Sequence, residues 1–146
     1  MKTVLRNIAA VILGFALGSI VNMAVITASP HLIPPPPGVD LSNVASMKAS
    51  MHLYEAKHFV FPLLAHASGT LVGGLVAFAV AGSRRDLFAY VIGLLFLAGG
   101  ITACFLIPAP KWFMALDLVV AYLPMARLAS LIGRRLTGNA PASPSP

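Results

Sequence analysis

Apolar residues run along this chain in four long blocks parted by short polar breaks. The blocks extend from Ile8 to Ala28, from Phe59 to Gly82, from Leu87 to Ile107 and from Trp112 to Ile132. A bilayer core takes roughly 20 consecutive apolar residues per helix, and each block is long enough. The pattern therefore predicts an all-α membrane protein, a bundle of four transmembrane helices. The breaks Ser83-Arg84-Arg85-Asp86 and Pro108-Ala109-Pro110-Lys111 leave room only for tight helical hairpins, which makes sequential helices antiparallel.

The one long connection, Ser29 to His58, has a different texture. It begins with Pro30 and the run Pro34 to Pro37, which cannot form a helix and favours a stiff polyproline spacer. Gly38 allows a turn, after which Asp40 or Ser42 is placed to cap a short helix running through Met47, Met51 and Tyr54. Val44, Met47, Met51 and Tyr54 recur at steps of three and four, with Lys48, His52 and Glu55 on a second stripe. The expected element is a short amphipathic helix on the outer face. It is either a lid over that face or a connector resting on the bundle and on headgroups, and the connector is the simpler reading.

Composition agrees with lipid as the solvent: 58% of the 146 residues are apolar and only 10% charged. The distribution of charge gives direction. With the N-terminus in the cytoplasm, Lys2, Arg6, Arg84, Arg85, Arg127, Arg134 and Arg135 fall inside and Lys48, Lys57 and Lys111 outside, seven against three. Both ends are then cytoplasmic, and the basic balance needs no nucleic acid to explain it. The first block follows Lys2 and Arg6 as a signal peptide would, but exceeds the usual apolar length of about 7 to 15 residues, so it is read as a retained helix. Residues 1–136 form a single four-span domain, and the small, polar, proline-rich stretch 137–146 is expected to be a disordered tail.

Polar groups in hydrocarbon are costly, so those within the blocks point to where anything specific happens. Asn22 lies eight residues before Pro30, His66 seven past Phe59 and Asp117 five past Trp112, each roughly 8 to 12 Å in from the outer helix end. At one depth on different helices they form a candidate polar cluster, able to relay protons or bind a polar head, or simply to fix helix register. The structural role is the default. Arg127 is near enough to the inner end to snorkel to phosphates. Pro124 is expected to kink the fourth helix, whereas Pro62 falls in a first turn that tolerates proline.

Small residues recur every fourth position at Ala65, Gly69, Gly73, Ala77 and Ala81, and again at Ala10, Gly14 and Gly18. Such ridges let helix backbones approach closely, with Gly14, Gly18, Gly69 and Gly73 as the packing residues. The spacing alone serves a contact within the chain and a seam between copies equally well.

Several chemistries find no foothold. His66 is the one histidine well inside a block, which argues against bis-histidine haem. His58 and His66 are about 12 Å apart along a helix, too far to share a metal. Met47, Met51 and His52 could hold a soft metal, but methionines on an amphipathic helix serve more often as apolar contact. Cys104, alone within an apolar block, is read as packing. No metal, no cofactor and no phosphate-binding loop, nucleophile elbow or zinc motif is expected.

The segments Ser19 to Met23, the proline run ending Gly38-Val39-Asp40, Lys48 to Gly74 and Trp112 to Ala126 resemble an uncharacterised family of small bacterial four-helix inner-membrane proteins. The resemblance covers most of the chain before its tail. It implies four helices and a bacterial membrane, and supplies no activity. Three functions are compatible with these readings. The first is a non-enzymatic protein that packs, as a homo-oligomer or with another membrane protein, through the small-residue ridges. The second is a small transporter or channel subunit with a polar site in the outer half. The third is a membrane enzyme acting on lipid or quinone, with His66 and Asp117 as an acid–base pair.

Overall fold

The computed structural model describes residues 1–107 and 109–138. All the regular structure among these residues is helical, with no strand. The helices are α1 (Lys2–Leu32), α2 (Val44–Ala49), α3 (Val60–Val80), α4 (Arg85–Leu106), α5 (Lys111–Val120) and α6 (Leu123–Leu136), with 3-10 turns at Met51–Leu53 and Ala56–Phe59. Four helical stretches are long and apolar enough to cross a membrane: Lys2–Leu32, Ala56–Val80, Arg85–Leu106 and Lys111–Leu136. Pro108 of the second hairpin and residues 139–146 of the expected tail lie outside the described residues. Thr137 closes α6 by donating its hydroxyl to the Gly133 carbonyl at 2.9 Å.

Three boundaries differ from the sequence expectation. The first helix runs through Pro30 to Leu32, because a proline in the last turn forfeits only the bond to the Ile26 carbonyl, and the chain closes with Ile33 N–H on Ser29 O at 2.9 Å. The fourth block is two helices, not one kinked helix. It breaks at Ala121 and Tyr122 (φ −116, ψ −81), which leaves Pro124 in the first turn of α6, where no ladder donor is needed. The outer helix is shorter than expected and is capped by Asn43. The Asn43 side chain accepts from Ala45 and Ser46 N–H, whereas Asp40 is occupied by the N–H and hydroxyl of Ser42. Those two bonds hold the Asp40 carboxyl below its ordinary range.

The small-residue ridges meet within the chain. A Cβ on Gly14 would come within 2.7 Å of the Gly73 carbonyl oxygen, and one on Gly18 within 2.6 Å of the Gly69 oxygen. Here α1 and α3 touch backbone to backbone. A second seam, not anticipated, joins α6 to α3 and α4. A Cβ on Gly74 would meet Ala129 and one on Gly93 would meet Ala126, while Gly133 makes room for the Phe78 ring. Ala10, Ala77, Ala81, Ile92, Phe96, Ala121 and Tyr122 form the core, most of them small. The large apolar side chains face outward, with Leu5 63%, Ile20 62%, Leu94 54% and Val119 69% exposed.

At the arginine-rich end, Asn7 of α1 binds the α3–α4 turn. Its carbonyl accepts from Gly82 and Ser83 N–H at 2.9 and 3.3 Å, and its amide donates to the Ser83 hydroxyl at 3.1 Å. This clasp holds Arg84 in the left-handed region (φ 46), a conformation side chains other than glycine seldom adopt. On α4, Asp86 accepts two parallel bonds from Arg134, both 2.8 Å, and a third from the Ser130 hydroxyl, tying α4 to α6. These contacts tie α1, α3, α4 and α6 together at that end.

Candidate functional site

At the opposite end the helices part, because α4 presents Gly100, Ala103 and Cys104 where its lower turns present Ile92 and Phe96. The result is a cavity of about 360 Å³. Ile26 of α1 and Ile33 just after it, Phe59 and Pro62 before and in α3, and Phe113 and Met114 of α5 form its walls, and Met47, Met51 and Tyr54 of the outer segment also line it. Met47, Met51 and Tyr54 of the stripe read from the sequence thus face the bundle, whereas Val44 is exposed, as are Lys48, His52 and Glu55. The segment is held down at its end by a reciprocal cap: Glu55 N–H donates to His58 Nδ1 at 2.9 Å, and the Glu55 side chain accepts from the His58 backbone.

His66 and Asp117 also line this cavity. His66 comes two turns into α3, where Thr70 folds its hydroxyl back onto the His66 carbonyl at 2.8 Å. Asp117 comes from α5, one turn before the helix ends, with its carbonyl taken by Ala121 N–H at 2.9 Å. The imidazole Nδ1 lies 2.8 and 3.0 Å from the two carboxylate oxygens. With Asp117 only 3% exposed, such a carboxylate needs donors on both oxygens.

The second donor is Tyr122, which the sequence reading passed over. Its hydroxyl donates to Asp117 Oδ2 at 2.7 Å and sits 3.1 Å from His66 Nδ1, with the two ring centroids 5.8 Å apart and the planes inclined at 30°. A tyrosine five residues after an aspartate on a continuous helix would point about 140° away from it. The break at Ala121–Tyr122 turns the phenol back. Gly100 makes room for it, since a Cβ there would occupy the place of the Tyr122 hydroxyl. The signal for this was the pairing of Pro124 with a tyrosine just before it.

Asn22 does not join the group. Among the described residues no hydrogen bond links its amide to His66, Asp117 or Tyr122. It lies over Gly69, whose Cβ would come within 2.9 Å of Asn22 Cβ. Equal depth placed Asn22 at the right level of α1, but on the face packed against α3. Nor, among the described residues, do three His, Cys, Asp or Glu side chains converge as metal ligands would. The chain matches no protein-family model, no curated protein and no solved structure. Its function therefore has to rest on the site itself.

Chemically the group is a buried carboxylate that receives His66 Nδ1–H and Tyr122 O–H. That pairing fixes the imidazole tautomer, and among the described residues the other nitrogen, Nε2, has no hydrogen-bond partner. Higher in the cavity wall, the Tyr54 hydroxyl is buried without a partner among the described residues, and burial raises its pKa above the ordinary phenol value.

Proposed function

We propose that this chain is a four-span integral protein of the bacterial inner membrane, both ends cytoplasmic, that binds a small amphipathic molecule in the outer half of its bundle. The outward-facing leucines, isoleucines and valines would be ruinous in water and are ordinary in lipid. The excess of basic residues on one side supports the orientation, and the resemblance to small bacterial inner-membrane proteins supports the compartment.

The observation that carries the binding reading is the His66–Asp117–Tyr122 group beside a mostly apolar cavity, a few convergent polar atoms among greasy walls. Assembly through the small-residue ridges is less supported, because Gly14, Gly18, Gly69 and Gly73 already face each other within one chain. A pore is less supported too, because α1, α3, α4 and α6 are tied together in the arginine-rich half beneath the cavity. As a transporter the protein would have to open that half, and the broken fourth helix is the place where such a motion would start.

Native mass spectrometry of the protein released from native-lipid nanodiscs tests the reading. The wild type should carry a bound small molecule that Cys104→Trp, which fills the cavity, does not. Identical adducts on both proteins would defeat it. Orientation is checked in a Cys104→Ala background, where Ser42→Cys should react with an impermeant reagent outside cells and Thr137→Cys should not.

A further inference from the structure

Resting on that binding reading, we infer that the ligand is a neutral, hydroxyl-headed aromatic lipid of the phenol or hydroquinone class, whose O–H donates to His66 Nε2. Three features of the cavity converge on this class.

The first is the charge of the lining. Among the described residues no lysine or arginine lines the cavity, and Asp117 does. His58 also lines it, but its Nδ1 accepts the Glu55 N–H in the local cap. A phosphate, sulfate or carboxylate head would be desolvated here with no cation to meet it and an anion beside it, which is a prohibitive combination. The head is neutral.

The second is the direction of the hydrogen bonds. Asp117 takes the Nδ1 hydrogen of His66 and the hydroxyl hydrogen of Tyr122. Neither is left for a ligand, and with its one hydrogen on Nδ1 a neutral imidazole offers Nε2 as an acceptor, the form this inference takes. An aldehyde, ester or ether head has only acceptor atoms and would leave Nε2 unsatisfied. A hydroxyl supplies the missing donor, and a phenolic hydroxyl is a stronger donor than an aliphatic one.

The third is the wall. Phe59 and Phe113, with ring centroids 4.8 Å apart, stand beside the thioethers of Met47, Met51 and Met114. Aromatic edges and polarisable sulfur favour a planar ring over a bare acyl chain. Trp112 packs edge-on against Phe59 at 5.7 Å and is the chain's one tryptophan, so it reports on this wall directly.

The test titrates the full-length protein in nanodiscs with para-nonylphenol, para-nonylanisole and dodecanol, reading Trp112 emission against mole fraction in the lipid. The phenol should saturate the signal, and the anisole, which keeps the ring and loses the donor, should need at least about tenfold more, the worth of one hydrogen bond. Dodecanol, which keeps the donor and loses the ring, should also bind more weakly. In His66→Leu the phenol and anisole curves should coincide. The phenol–anisole comparison is made within the wild type, so it stands even where that variant folds poorly. Equal saturation by phenol and anisole, or tighter binding of dodecanol, overturns the head or ring assignment while leaving the binding site intact. Failure of all three to saturate, with a molecule still bound in native mass spectrometry, overturns this inference alone. Failure of both experiments overturns the binding reading with it.

Discussion

The Tyr122 phenol lies where a side chain on Gly100 would be, so α4 and the break in the fourth helix determine together whether the hydroxyl reaches Asp117. Gly100→Ala should push the ring away and cost about 1–3 kcal/mol, the usual penalty for one methyl too many in a packed core. Tyr122→Phe removes the hydroxyl that crowds position 100. The double variant should therefore be more stable than the sum of the two single effects predicts, by more than about 0.5 kcal/mol. Unfolding in mild detergent measures this. Strict additivity would mean that the two residues do not share the space.

How much of this was legible depends on whether the signal was local. The four apolar blocks could be read directly, because hydropathy over a span of residues needs no partner. The depth of His66 and Asp117 was legible too, since rise per residue converts position into height. Azimuth was not. Asn22 has the right height and the wrong face, and Tyr122 reaches Asp117 only through a backbone break that a proline two residues later merely hints at. Asn43 was missed as a cap because Asp40 and Ser42, equally good capping residues, bond to each other instead.

The pairing of His66 with Asp117 should register as a coupling energy. Each single alanine substitution strands a buried partner, so His66→Ala and Asp117→Ala should each destabilise by about 1–3 kcal/mol. The double variant should recover about 0.6 to 2 kcal/mol of that sum, the range found for polar contacts between helices in lipid. A double-mutant cycle on thermal or denaturant unfolding reads the term. Zero coupling would mean that the contact holds nothing together.

The glycine ridge should act on the monomer. Gly18→Leu and Gly73→Leu would drive a side chain into the backbone of the facing helix, where no flexible group can yield. Both should separate α1 from α3 and lower the unfolding midpoint, without altering the particle mass of a protein that stays folded. A loss of oligomers at unchanged monomer stability would instead place the ridge between copies.

Across the arginine-rich end, Asp86 and Arg134 are each more than a third exposed at their side chains, so their two bonds are screened by solvent. Arg134→Leu should lower the unfolding midpoint only slightly, and salt should weaken the wild-type contact in the same direction. The comparison is between unfolding midpoints at low and high ionic strength. A salt-independent loss of several kcal/mol would mean that the pair is far drier than its exposure implies.

The outer segment carries a flaw that can be removed. The Tyr54 hydroxyl is buried with no partner among the described residues, and leaving such a group unsatisfied costs about 1–3 kcal/mol. Tyr54→Phe keeps the ring against His58 and Phe59 and removes the flaw, so the segment should open less often. Amide exchange across residues 44–58 should slow by about tenfold for each 1.4 kcal/mol gained. The sign of the pH effect follows from the same burial. The phenol's pKa is raised above 10.0 in the folded segment. Its contribution is therefore complete below the ordinary value of about 10 and is lost as the pH climbs through the raised one. Wild-type exchange in this segment should quicken above pH about 10 beyond its ordinary base catalysis, and the Tyr54→Phe variant should lack that excess. Equal exchange in both proteins at every pH would show that the hydroxyl finds water in the closed segment and that burial there is incomplete.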